Sequence, residues 1–309
     1  MSDRGRSRRT FVLIFIVCCH AVGLLVFCQG FLLKRVEIPE YSQCRPHSRS
    51  TERQDSSFGA GDRIHPSGAP ISCTGYPRRF KRVLWLLIDA LRYDFLVYDD
   101  QLDPAPPVYR NKLPFVRDLL REHPENAKLF KSIADAPTTT MQRLKALATG
   151  GLPTFIDIGS NFNSYEIQED NLIYQARTHT RNVTFMGDDT WLGLYPGMFS
   201  KVFDYPSLNV KDLHTVDNGV ISHLQPELAL KDADFIIAHF LGVDHVGHTY
   251  GPSHWTMGDK LTQMNDVIKL VFMYNNIIIQ MEKLQCTCIY YTSGIFKRAG
   301  KKGELVFFT

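Results

Sequence analysis

Asp89, Thr140, Asp244 and His248 are the residues whose types and spacing could do chemistry, and together they suggest half of a two-metal phosphoryl-transfer site. Thr140 closes the run Pro137-Thr138-Thr139-Thr140 and is followed by the helical pattern Met141-Gln142-Arg143-Leu144-Lys145-Ala146-Leu147. A hydroxyl at a helix N-terminus can attack phosphorus while backbone N–H groups stabilise the added negative charge. It needs a metal or a base to lower its pKa, and the other role open to it is an N-cap. Asp89 ends the apolar run from Arg82 to Ile88, which places its carboxylate in the crevice beyond a sheet, available to a hard or borderline cation. A helix cap or loop anchor is the alternative there. Asp244 and His248, four residues apart around Gly247, can grip one Zn²⁺ from a single loop. His239 is expected as a satisfied core histidine and His245 as an exposed loop side chain, so both stay outside the ligand set.

These residues need a sheet to hold them. The runs Val83 to Ile88, Val183 to Met186, Asp234 to Phe240 and Thr287 to Thr292 are strand candidates, spaced widely enough for crossovers. Helices are expected over Pro114 to Glu122, Met141 to Ala148 and Asp259 to Leu284. The last has a stripe of Leu261, Met264, Ile268 and Val271 to pack on the sheet, and Thr256 with Asp259 as a capping box. The alternation predicts an α/β fold with a mostly parallel sheet and helices on both faces.

With 309 residues, 44% apolar and 22% charged, the chain can bury the core of one large α/β domain plus extensions, and its composition is not that of a disordered protein. The formal charge of +3 lies within the first ten residues, where Arg4, Arg6, Arg8 and Arg9 face only Asp3; the remainder carries 31 basic and 31 acidic groups. That balance excludes a basic nucleic-acid footprint. Phe11 to Leu33 holds 23 residues without a formal charge, long enough to cross a bilayer, with a cleaved signal peptide as the alternative. The arginines before it favour a cytoplasmic N-terminus and a lumenal body. The expected organisation is a cytoplasmic tail (1–10), a transmembrane helix (11–33), a lumenal stalk (34–79), a domain (80–292) and a divergent basic tail (293–309). In a lumen, Asn182-Val183-Thr184 becomes a usable glycosylation sequon, and Cys44 and Cys73 could pair across the stalk. Ordinary strand residues are the other reading of that sequon. Cys286-Thr287-Cys288 lacks zinc-knuckle spacing.

Five segments resemble the GPI ethanolamine phosphate transferases of the alkaline phosphatase superfamily, the type 3 branch in particular. They are Leu87-Ile88-Asp89-Ala90-Leu91-Arg92, Pro137 to Leu147, Leu152 to Asp157, Met186 to Trp191 and His239 to Gly251, and Thr215-Val216-Asp217-Asn218-Gly219 also fits. The resemblance covers residues 11 to 284. It implies an alkaline-phosphatase-like domain incomplete at its C-terminus, two Zn²⁺ ions, and Thr140 as covalent nucleophile. Asp89 and Thr140 would belong to one metal centre, and Asp244 and His248 to the other. It further implies an endoplasmic reticulum membrane location and transfer of phosphoethanolamine from phosphatidylethanolamine to a mannose, the third, of a GPI precursor. A class F membrane subunit would be the partner, through a membrane portion this sequence does not contain. The family carries a further Asp-His-Gly motif and a later His; here only Asp259 and Asp266 follow His254 among such residues. Neither centre then reaches three protein ligands, so a truncated form with impaired activity is expected, unless Asp188 or Asp189 fills the gap. Two other readings stay open: an inactive lumenal binding domain, and a nucleotide-type phosphodiesterase of the same superfamily.

Overall fold

Strand β1 (Arg82–Ile88) is buried at every position but Val83, as a run of Leu, Trp and Ile must be when helices cover both of its faces. The computed structural model describes residues 3–31, 39–42, 82–101, 104–134, 136–152, 166–179, 182–278, 284–288 and 305–308. Six further strands join β1: β2 (Ala127–Phe130), β3 (Val183–Asp188), β4 (Lys201–Tyr205), β5 (Phe235–Phe240), β6 (Leu284–Cys288) and β7 (Leu305–Phe308). They form one sheet in the order β2-β7-β6-β1-β5-β3-β4, and every pairing in it is parallel. In register, Leu87 sits beside His239 and Ile88 beside Phe240. The carboxyl ends of β1 and β5 therefore lie together, with Asp89 just past one and Leu241 just past the other.

Alternation along the strands separates two apolar layers. Leu84, Leu86, Ile88, Ile236, Ala238 and Phe240 face one layer, closed by α3 (Pro114–Glu122), α7 (Thr215–Leu230) and α9 (Trp255–Ile278). Trp85, Leu87, Val183, Phe185, Phe235 and Ile237 face the other, closed by α4 (Thr140–Thr149), α5 (Leu172–His179) and α6 (Thr190–Leu194). Short α2 (Tyr93–Leu96) follows β1, and α8 (Gly242–Tyr250) follows β5 after the single residue Leu241. Ahead of the domain, α1 (Asp3–Phe31) contains a 24-residue apolar segment, Ser7–Gly30, with mean hydropathy 2.8 and no residue of it buried against the domain; it is a candidate membrane span.

Several expected boundaries move. The long helix starts at Trp255, four residues before Asp259, with His254 rather than Thr256 at its head: the Thr256 hydroxyl lies 2.8 Å from His254 Nδ1. The last predicted strand begins at Leu284; residues 289–292 lie outside the described ones. Leu305–Phe308, within the expected basic tail, is a strand between β2 and β6. Part of the expected stalk is docked: Tyr41 donates to the Gln168 carbonyl (2.6 Å) and stacks near Tyr174, and the Ser42 N–H donates to Asp170. Cys44 and Cys73 lie outside the described residues, as do the side chains of Cys286 and Cys288.

Candidate active site

Asp89 leaves the sheet at a sharp turn. Its N–H still bonds to the Phe240 carbonyl across the β1–β5 pairing, while the next residue, Ala90, takes a left-handed conformation at φ 56°. That conformation costs a non-glycine residue of order 1 kcal/mol and is characteristic of functional turns. Asp89 Oδ1 accepts the Ala90 N–H (2.8 Å), which turns Oδ2 toward α4. There it accepts a hydrogen bond from the Thr140 hydroxyl at 2.8 Å. Thr140 is the first residue of α4 and Thr139 its N-cap, so the hydroxyl stands at the positive end of a ten-residue helix without being spent on capping. Thr139 instead bonds Gln142. One turn along, Arg143 lines the same cleft with Leu87, Asp89, Leu144, Leu147 and His239.

The second pair lies on a helix, not on the loop expected from sequence. Asp244 and His248 are i and i+4 in α8, facing each other with His248 Nε2 3.5 Å from Asp244 Oδ2. The apolar residues around Gly247, Val243 and Val246, supply the buried stripe that makes the segment helical. Burial, and after it the negative charge of Asp89, pushes the Asp244 carboxyl up to about 6, while His248, His245 and His239 pull it down. The two halves of the predicted site therefore share one electrostatic field. His245 is buried, not exposed, with its Nδ1 2.7 Å from the Asp212 carbonyl, pointing away from the cleft.

Behind Asp89 lies a residue pair that the sequence reading left out. His239 is 2% exposed, as a core histidine should be, yet its Nε2 is 3.9 Å from Asp89 Oδ2 and its Nδ1 is 3.0 Å from Asp188 Oδ2. Burial alone would lower the imidazole pKa, but the facing Asp188 carboxylate raises it overall; burial likewise works against an ionised Asp188, and the imidazole outweighs it. Asp188 is fully buried with its Oδ1 accepting the Thr190 N–H, and Asp189 is bonded to Ser207 on the surface. The signal for His239 was available: a lone titratable residue at the last inward position of an apolar strand. Asn182 lies at the head of β3, its amide donating to the Asp232 carbonyl (2.9 Å), with Thr184 of the sequon buried.

The fold is a parallel α/β domain whose candidate reacting groups gather at the carboxyl ends of β1 and β5. By sequence the chain is a homologue of the type 3 GPI ethanolamine phosphate transferases. It is 47% identical over 270 residues to the catalytic subunit of GPI ethanolamine phosphate transferase 3 of Homo sapiens, an alignment covering 85% of this chain and 24% of that protein. It is 42% identical over 259 residues to GPI ethanolamine phosphate transferase 3 of Schizosaccharomyces pombe, covering 82% of this chain and 26% of that one. The chain thus spans about a quarter of the length of these curated relatives. No protein-family model matches it. Among solved structures, the lipoteichoic acid synthase LtaP of Listeria monocytogenes aligns with a TM-score of 0.39 at 10% identity, over 66% of this chain and 54% of that one.

Proposed function

We propose that this chain belongs to the machinery of GPI-anchor synthesis as a phosphoethanolamine transferase, with phosphatidylethanolamine as donor and a mannose hydroxyl of a GPI precursor, the third, as acceptor. The observation that carries the reading is the Thr140 hydroxyl bonded at 2.8 Å to Asp89 Oδ2 at a helix N-terminus, in a chain 47% identical to a transferase of that name. In the first half-reaction Thr140 Oγ1 bonds to phosphorus, its proton passes to Asp89, and the bond to the diacylglycerol oxygen breaks; that alcohol leaves with a proton. In the second, the mannose oxygen takes the phosphoethanolamine from Thr140 and the threonine hydroxyl re-forms. The N–H groups opening α4 stabilise charge added at phosphorus, and Arg143 supplies positive charge on the cleft wall.

The donor chemistry fits a divalent cation. Two carboxylates share a field that holds Asp244 partly protonated near neutrality, a cost that a cation removes. Asp89 with Thr140, and Asp244 with His248, are the two pairs that would hold cations, and Zn²⁺ suits their mix of oxygen and imidazole. Among the described residues no group of three His, Cys, Asp or Glu side chains converges on one point, so neither pair is a closed ligand set. When bound, the ion would lower the pKa of the attacking hydroxyl and offset charge on the phosphoryl oxygens. The site faces the endoplasmic reticulum lumen in this reading, with α1 as anchor.

The test is to incubate the full chain in detergent with phosphatidylethanolamine and Zn²⁺ and to map phosphoethanolamine onto peptides by mass spectrometry. An adduct on Thr140, absent in Thr140→Ala, is the expected result. An adduct-free wild type, with zinc demonstrably bound, overturns the nucleophile assignment.

A further inference from the structure

We propose that Asp188 and His239 form a buried positioning pair that holds the Asp89 carboxylate, and through it the Thr140 hydroxyl, in reacting geometry. The proposal rests on the reading of Thr140 and Asp89 as the reacting pair.

Four groups stand in line. Asp188 Oδ2 is 3.0 Å from His239 Nδ1; His239 Nε2 is 3.9 Å from Asp89 Oδ2; and that same Asp89 oxygen accepts from Thr140 Oγ1 at 2.8 Å. Each link is fixed from outside. Asp188 Oδ1 accepts the Thr190 N–H (2.9 Å), leaving only Oδ2 to face the imidazole. Asp89 Oδ1 is taken by the Ala90 N–H, leaving only its Oδ2 for His239 and Thr140.

The cost of placing these groups here argues for a role. On β5 the two residues of the same face before His239 are Phe235 and Ile237, packed in a layer with Trp85, Phe185 and Trp191. Any aliphatic residue would continue that layer. A fully buried carboxylate and an imidazole there carry a desolvation penalty that apolar residues of similar volume avoid. The backbone is shaped to admit them. Gly187 has φ 152°, and a Cβ there would stand 2.8 Å from His239 Cβ and 2.9 Å from the His239 carbonyl oxygen. Only glycine lets β3 close on His239 and deliver Asp188 to its ring.

One competitor bears on the arrangement: the Trp191 indole N–H donates to His239 Nδ1 at 3.0 Å, while Asp188 Oδ2, a buried oxygen without a hydrogen-bond partner among the described residues, faces the same nitrogen at the same distance. A single ring nitrogen cannot donate to Asp188 and accept from Trp191. An uncompensated buried carboxylate costs more than an unmet indole N–H, so in the proposed arrangement Nδ1–H faces Asp188. Nε2–H then points at Asp89. His239 lines the cleft wall but takes no part in the bond changes at phosphorus; it acts through Asp89.

The test uses the full chain in detergent, labelled with ¹⁵N-histidine. The expected result is a His239 signal, identified by its loss in His239→Gln, in which Nδ1 carries a proton resonating downfield of the amide region and moving in Asp188→Asn. A His239 Nδ1 without a proton would assign that nitrogen to Trp191 and overturn the pairing. Kinetics give the second arm. Asp188→Asn should lower kcat by about 10- to 100-fold with KM little changed and the unfolding midpoint held, the scale of loss seen when a partner behind a ligand is removed. A kcat equal to wild type would overturn the positioning role. If Asp188→Asn does not fold, the wild-type spectrum alone decides, and if wild type shows no transfer at all the proposed reaction fails while the spectrum still judges the pair.

Discussion

Asp244 is the side chain whose chemistry depends most on what shares the cleft with it. Burial and the Asp89 charge raise its carboxyl from 3.8 to about 6, so the folded protein holds that proton more tightly than the unfolded chain does. Its contribution to stability is complete below about pH 4, where both states are protonated, and is lost as pH rises through about 6. In the presence of chelator, the thermal midpoint of wild type should therefore fall relative to Asp244→Asn between pH 4 and pH 6, and the gap should be constant above that window. Midpoint curves that run parallel throughout would show that Asp244 is not perturbed. Added Zn²⁺ should reverse the trend, because the ion binds the ionised form. The gathering of Asp89, Thr140, Asp244 and His248 could be read from the sequence because each belongs to a short motif that follows an apolar strand or opens a helix. His239 gave only the signal of a titratable residue near the end of an apolar strand, which a satisfied core histidine gives equally; only the third dimension shows Asp188 on one side and Asp89 on the other.

Helix α8 carries half the site, and what fixes it lies outside the site. Asp217 on α7 is 1% exposed and its Oδ1 accepts the N–H groups of Leu241 and Gly242, the donors that open α8; its Oδ2 is 3.0 Å from the Nζ of buried Lys260 on α9. Three helices are thereby pinned at one point. Asp217→Ala leaves Lys260 buried without its anion and two N–H groups without an acceptor, and should cost about 3–5 kcal/mol in denaturant unfolding. A loss below 1 kcal/mol would mean that water replaces the carboxylate. Gly242→Ala probes the same point sterically, since its Cβ would stand 2.1 Å from Asp217 Oδ2 and 2.7 Å from Lys260 Nζ. We expect it to lower the unfolding midpoint and to weaken zinc binding, whereas Gly247→Ala, which meets nothing within 4 Å, should do neither. At this scale β1, β3 and β5 were legible to within two residues at each end, because continuous apolar runs identify buried parallel strands. The half-buried strand β4 and the four-residue β2 gave no such run, and β7, though apolar throughout, is only four residues long and follows the basic segment read as a tail. Helix α8 escaped because two glycines, two histidines and an aspartate in nine residues have low helix propensity, and burial of Val243 and Val246 overrides it.

The whole chain joins an apolar helix to a domain that acts, in the reading above, on a lipid headgroup. Seven residues lie between Phe31, the end of α1, and residue 39, where the docked segment begins, and eight extended peptide steps span at most about 28 Å. Tyr41 and Ser42 then hold to residues 168–175, so the domain is tied close to the helix end. Within α1, His20 Nδ1 lies 2.8 Å from the Ile16 carbonyl, which satisfies the ring inside its own helix and lets it enter hydrocarbon at reduced cost. If α1 is a true span, two arginines at its centre, Ile16→Arg with Val22→Arg, should together cost about 5–7 kcal/mol of insertion. Alkaline extraction of membranes should then move the doubly substituted chain to the supernatant while wild type stays in the pellet. Transfer activity of the released domain toward phosphatidylethanolamine in vesicles should fall with it, whereas activity toward a short-chain, water-soluble phosphodiester of ethanolamine should be kept, because among the described residues the cleft around Asp89 and Thr140 is lined from β1, α4 and β5 and by no residue of α1. A doubly substituted chain that remains in the pellet after alkaline extraction would mean that α1 is not what holds the protein to the membrane.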